Sequence, residues 1–119
     1  SSQTLVLSWT YSFSKSFTEA IMGITCVSEF PCAPGRIDEL IAIFHEILPY
    51  ARKKTGCEKI YFSISDTDPN LAVTFESWSS KKDHELYLSE LTESGRLSDI
   101  QFCLNGFPRF TFFNNLDDF

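Results

Sequence analysis

The sequence predicts an α+β domain in which strands and helices follow the order β-α-β-β-α-β around one antiparallel sheet. Three observations carry this. Residues Leu71 to Trp78 alternate, with Leu71, Val73 and Phe75 on one face and Ala72, Thr74, Glu76 and Trp78 on the other, which is strand periodicity. Ile37, Leu40, Ile41, Phe44, Leu48 and Ala51 recur at helical spacing, the clearest amphipathic pattern in the chain. Directly behind Trp78, Ser79-Ser80-Lys-Lys-Asp83 reads as a strand stop followed by a helix cap, Asp83 standing in capping-box position relative to Ser80.

Taken in order, residues 1–21 form a Ser- and Thr-rich extension in which Leu5, Leu7, Trp9, Tyr11 and Phe13 alternate with smaller or polar residues. That pattern predicts an added strand, covering a sheet edge or reaching a partner subunit; the competing reading is the remnant of a leader. Met22 to Phe30 is the first strand of the main domain, with Ile24, Cys26, Ser28 and Phe30 sharing a face, and Pro31-Cys-Ala-Pro-Gly35 breaks it. The amphipathic helix follows, its polar side carrying a solvated His45. Pro49 near its end predicts a kink or early termination, and Gly56 a stop. Lys59 to Ser65 reads as a core strand and Asp66-Thr-Asp-Pro-Asn70 as a turn. The Leu71–Trp78 strand has bulky residues on both faces, so it is expected to be covered on both sides, with another subunit as one candidate cover. In the helix behind it, His84, Tyr87, Leu88 and Leu91 lie at i, i+3, i+4 and i+7 and face the sheet, which brings Tyr87 near Trp78. Arg96 to Leu104 reads as a further short helix. Phe107 to Phe113 is the last strand, placed by Pro108 at an edge or at its first residues, and 114–119 is an acidic tail. The domain proper spans 22–113, in the ferredoxin-like order.

Composition bounds the function. A chain of 119 residues makes one domain that buries about 65% of its unfolded surface and gains from a second subunit if it is to hold a deep cavity. Twelve Phe supply a core plus an apolar pocket or an oligomer interface. A net charge of −6 lacks the basic surface that nucleic acid needs, so nucleic acid is excluded as the main partner. The four cysteines have neither C-x-x-C spacing nor disulfide-scaffold density and read as reduced thiols; with only two His, neither near paired cysteines, a structural zinc site has no support. No apolar run approaches the ~20 residues that span a bilayer. A cytoplasmic location is expected, or an organelle if an upstream leader was removed. Leu71, Val73 and Phe75 would bury their face against the same face of a second copy, giving a homodimer.

The sequence resembles the antibiotic biosynthesis monooxygenase-like domains, which form dimeric α+β barrels. The matching features are Pro34-Gly-Arg-Ile-Asp-Glu-Leu40, Ile47-Leu-Pro49, Thr55-Gly-Cys57, Phe75-Glu-Ser-Trp78 and the helical Ser80–Leu91 segment, and they cover residues 22 to about 113. The resemblance implies oxygenation of phenols, quinols or polyketide-type aromatics with neither metal nor flavin. Such chemistry needs a substrate whose anion can reduce dioxygen, and a dry pocket that removes a proton and stabilises the charge. Trp78 would wall that pocket and donate its indole N–H, joined as substrate-binding residues by Ile41, Phe44, Phe62 and Leu88. Ser28 stands where haem-degrading relatives carry Asn and offers a hydroxyl. Nine residues beyond Trp78, where many members place a His, this chain has Tyr87. Tyr is a poor base at neutral pH, so His84, one turn earlier on the same face, is the alternative proton-transfer group; otherwise it is a solvated residue of the first helical turn. The catalytic candidates are thus Tyr87, His84, Trp78 and Ser28, with no cofactor and no metal. A haem reaction would have only His84 as axial ligand. Two other readings stand beside the oxygenase: a cyclase, isomerase or lyase using the same pocket without oxygen, and a non-catalytic dimeric binding or structural protein whose pocket is filled by its own side chains.

Overall fold

The computed structural model describes residues 21–117; the strand expected from Leu5 to Phe13 in the 1–21 extension lies outside the described residues, as do 118 and 119, while Ile21 opens the first strand. The elements are β1 (Ile21–Pro31), α1 (Ile37–Ala51), β2 (Cys57–Ile64), β3 (Leu71–Trp78), α2 (Lys81–Glu93), α3 (Arg96–Phe102) and β4 (Arg109–Leu116). They build one four-stranded sheet in the order β2-β3-β1-β4, every pairing antiparallel. This is the ferredoxin-like fold expected from the sequence.

All three helices contribute to a core against one face of the sheet. Ile24, Cys26, Ser28 and Phe30 of β1 and Ala72, Thr74, Glu76 and Trp78 of β3 are buried there, the two sets that period-2 alternation groups together. Leu40, Phe44, Ile47, Leu48 and Ala51 of α1, Tyr87 and Leu91 of α2, and Ile100 of α3 close over them. Each large apolar side chain so enclosed contributes about 1.5–3 kcal/mol. The opposite face carries no helix among the described residues. Tyr61, Phe75 and Val27 lie side by side across it, Tyr61 and Phe75 each about half exposed, and Phe113 is exposed on β4.

Four local expectations change. The inward stripe of α1 takes Ile47, which borders the groove shared with Tyr87 and Leu91 of α2, and leaves Ile41 exposed. The helix also runs through Pro49: only one backbone bond is lost, while the Arg52 N–H reaches the Leu48 carbonyl at 2.9 Å and buried Leu48 and Ala51 hold the last turn. The Lys59–Ser65 segment is an edge strand, since β3 pairs on its other side with β1. Finally, β4 starts at Arg109 and continues to Leu116, so residues 114–116 belong to the sheet and not to a tail. Asn114 lies opposite Ile24, and the Thr25 hydroxyl donates to Asn115 Oδ1 at 2.6 Å, which extends the ladder. As Pro108 suggested, β4 occupies the other edge.

At the start of β1 a bulge falls between Ile21 and Gly23. Gly23 has φ +134°, and a Cβ there would collide with the Trp78 carbonyl oxygen, so only glycine lets β1 approach the end of β3 this closely.

Candidate active site

The candidate site starts from three alternate residues of β3. Thr74, Glu76 and Trp78 all point under the helices and are almost wholly buried. A carboxylate in such a place costs several kcal/mol unless it is hydrogen-bonded. Here its same-strand neighbours supply the bonds: Thr74 Oγ1 donates to Glu76 Oε2 at 2.8 Å, and Trp78 Nε1 donates to Glu76 Oε1 at 2.9 Å. The spacing i−2, i, i+2 on one strand face aims both donors at the acid between them.

The second component arrives from α2. Ser80 caps this helix, its hydroxyl accepting from the Asp83 N–H at 3.1 Å, while Asp83 Oδ2 accepts from the hydroxyls of Ser79 at 2.8 Å and Ser80 at 3.0 Å. The first turn is therefore held at three points, and His84 is turned down onto the sheet. It is 1% exposed, not solvated. Its Nε2 lies 3.9 Å from Glu76 Oε1, beyond hydrogen-bonding reach, and neither ring nitrogen has a hydrogen-bond partner among the described residues. Trp78 and Phe112 flank the imidazole edge-on, with centroids at 5.7 and 5.4 Å. Both ring nitrogens are enclosed by protein, so in this conformation neither is open to a haem iron. Tyr87 stacks on Trp78 at 5.2 Å, completing the wall.

Register brings β1 to the same place. Cys26 lies opposite Glu76 on one side and Phe112 on the other; Ser28 lies opposite Thr74 and Phe110. The Cys26 thiol and the Ser28 hydroxyl are 3.5 Å apart. Burial lowers the pKa of His84 below its ordinary value, with Glu76 and Glu85 opposing that shift and Lys81 adding to it. The imidazole is neutral at pH 7 and able to accept a proton. Burial pushes the Tyr87 phenol far above its usual range, reinforced by Glu76 and Cys57, so it stays protonated and can only donate. Burial likewise raises the Cys26 thiol to about 11, with the Ser28 hydrogen bond working against the shift and Glu76 with it. This thiol is no nucleophile at neutral pH.

Of the residues singled out from sequence, the structure therefore gathers Trp78, His84, Tyr87 and Ser28 in one region. Leu88 is half-buried against the same core. Phe62 lies opposite Thr74 on the side away from Ser28, but its ring turns to another hollow: Phe44 and Phe62 stack at 4.6 Å and, with Ile41, line a space of about 280 Å³ between α1 and β2, beside His45, Pro49 and Arg52. A separate groove of about 310 Å³ runs between α1 and α2 past Tyr87, Ile47 and Leu91, bridged by the ion pairs Lys54–Glu90 and Glu46–Arg96. The residue that sequence reasoning passed over is Glu76. Its signal was present: an acid between Thr74 and Trp78 on the face of β3 that also carries Ala72. Among the described residues, no three His, Cys, Asp or Glu side chains come together as a metal site, and no helix is long and apolar enough to cross a membrane.

A ferredoxin-like sheet with a buried acid, imidazole and indole beneath its second helix defines a small α+β protein with a polar interior site. Residues 23–90 match the family described as antibiotic biosynthesis monooxygenase, and the chain belongs to that family. A search of curated proteins finds no match. Solved structures match closely in shape. A conserved protein from Methanosarcina mazei Go1 superposes with TM-score 0.74 at 13% identity, over 87% of this chain and 98% of that one. A structure described as an antibiotic biosynthesis monooxygenase gives 0.71 at 13% identity, over 78% and 98%. Rv0793 from Mycobacterium tuberculosis gives 0.71 at 17%, over 80% and 96%. At such identities these structures share the fold, and chemistry has to be argued from the site.

Proposed function

We propose that this chain is a cofactor-independent oxygenase of small electron-rich aromatics, with His84 as the base that ionises a phenol or hydroquinone held against Trp78. The observation that carries the reading is a fully buried, neutral imidazole with no hydrogen-bond partner among the described residues, set 3.9 Å from a carboxylate each of whose oxygens already accepts a hydrogen bond. Buried polar atoms are nearly always paired, and an unpaired pair of ring nitrogens is a place for a substrate group or an ordered water. In the proposed reaction the phenolic proton passes to His84 and its electron pair stays on oxygen. The phenolate then reduces dioxygen; one oxygen atom enters the ring, the other leaves as water, and a phenol becomes a quinone with the substrate supplying all four electrons. Trp78 supplies a wall and holds the acid, Tyr87 backs the indole, and the buried Ser28 hydroxyl would have to leave the Cys26 thiol, 3.5 Å away, to serve the substrate oxygen.

The working unit in this reading is a homodimer joined through the open sheet face, where Val27, Tyr61, Phe75 and Phe113 would leave water. Its interior site would take an aromatic ligand through the β4 side, where Phe110 and Phe112 are partly exposed on the helix-facing side of the sheet.

The test is dioxygen uptake with simple naphthohydroquinones and phenols as probes. Uptake above the protein-free rate, reduced about 10²-fold by His84→Ala, is expected. Conversion at the same rate under argon would favour a cyclase, isomerase or lyase. One observation supports a non-catalytic reading, namely that Trp78, His84 and Tyr87 are packed against one another with almost no exposure. A folded dimer that neither binds nor converts any probe would decide for it.

A further inference from the structure

We propose that Glu76 is the positioning residue that fixes the tautomer of His84, holding hydrogen on Nε2 and leaving Nδ1 as the proton acceptor of the buried site. This rests on His84 being the base of the reading above. The carboxylate cannot turn away, because Thr74 holds Oε2 and Trp78 holds Oε1. At 3.9 Å no hydrogen bond forms, but both Glu76 oxygens act as acceptors. An N–H dipole aimed at an acceptor oxygen is favoured over a lone pair aimed at it, so the ring nitrogen nearest to Glu76 carries the hydrogen. That nitrogen is Nε2, at 3.9 Å from Oε1. A neutral imidazole has a single N–H, and Nδ1 is left with a lone pair that nothing among the described residues satisfies. When Nδ1 takes a proton from a substrate hydroxyl, the new cation sits beside Glu76 and is stabilised there, while the electron pair remains on the substrate oxygen.

The surroundings leave this role to Glu76. From β3 the charged group is Glu76 itself; from α2 they are Lys81 and Glu85, both exposed to water and so screened. β4 contributes the Phe112 ring, over which the Lys81 ammonium sits at 4.9 Å. β1 contributes Cys26, a neutral thiol at pH 7.

The experiment needs no substrate, so its failure and a failure to find turnover are separate results. Long-range ¹H–¹⁵N correlation spectra of the uniformly labelled full chain report the tautomer of each imidazole, and there are only two His, with exposed His45 as the internal reference. The expected result is a single Nε2–H tautomer for His84. Glu76→Gln should mix the tautomers and move the His84 titration to lower pH, leaving His45 unchanged. An Nδ1–H tautomer in the wild-type protein overturns the proposal, and so does a Glu76→Gln spectrum with unaltered tautomer and titration. Should Glu76→Gln fail to fold, Glu76→Asp takes its place: it keeps the acid but draws it back from the ring by one methylene, and an unaltered His84 tautomer and titration there would likewise overturn the proposal.

Discussion

The two faces of the sheet are made by alternating residues of the same strands, yet they are opposites. Under the helices, Thr74, Glu76 and Ser28 are polar and buried; on the open side, Phe75, Tyr61 and Phe113 are aromatic and 45–57% exposed. Each face places groups where solvation alone would not put them. The difference separates two purposes. Buried polarity is retained where a fixed arrangement of donors and acceptors matters, whereas exposed aromatic area fits, in the proposed dimer, a face that a second copy would cover.

The sharpest way to break the helix-covered face is Trp78→Ala. It removes a wholly buried indole and one of the two donors on Glu76, and should cost about 3–5 kcal/mol in urea unfolding. A loss under 1 kcal/mol would mean that the cluster is looser than its geometry. Phe75→Glu attacks the open face. Sedimentation should give wild-type protein at twice the 13.6 kDa chain mass at micromolar concentration, and the variant as a folded monomer with association weakened 30-fold or more. A monomeric wild type would remove the second copy as the cover. Thr74→Val is isosteric and deprives Glu76 Oε2 of its donor, with an expected loss of about 1–3 kcal/mol and no change in oligomeric mass.

The smallest effects lie at the pH extremes. His84 has a folded pKa below its ordinary value of 6.5, so between the two the unfolded chain binds more protons and stability falls as pH drops below about 6.5. His84→Leu should flatten that acid limb. Cys26 behaves in mirror image: its folded pKa is raised from 9.0 to about 11, so its contribution is complete below 9 and is lost as pH climbs toward 11. Cys26→Ala should make the alkaline limb shallower without abolishing it, since Tyr87 and the other three thiols are shifted in the same direction, as read from melting temperatures across the pH range.

Much of this was legible in the chain, and the legible part has one physical source. Alternation fixes which side of its own strand a residue takes, so the facing of Ile24, Cys26, Ser28 and Phe30, and of Leu71, Val73 and Phe75, followed directly. The Ser80 cap was equally local, since hydroxyl and amide lie three residues apart. Helical spacing put His84 and Tyr87 on the inward side of α2. It did not settle whether the first turn would stay in water, because that depends on how the capped turn is seated on the sheet. Phe44 and Phe62 show the complementary gap: both face the core, but periodicity carries no information on which part of the sheet a helix crosses, and they meet each other beside the Thr74 end of the site, lining a separate hollow.

Sequence alone thus determined the order of elements, the two faces of the sheet and the start of α2, all of them consequences of backbone geometry over a few residues. Tertiary structure decided that β2 is an edge, that β4 runs on to Leu116, and that His84 is lowered toward Glu76 with both ring nitrogens unpaired among the described residues. Those outcomes depend on pairing and docking between segments distant in the chain, where the free energy is set by surfaces that no local pattern describes.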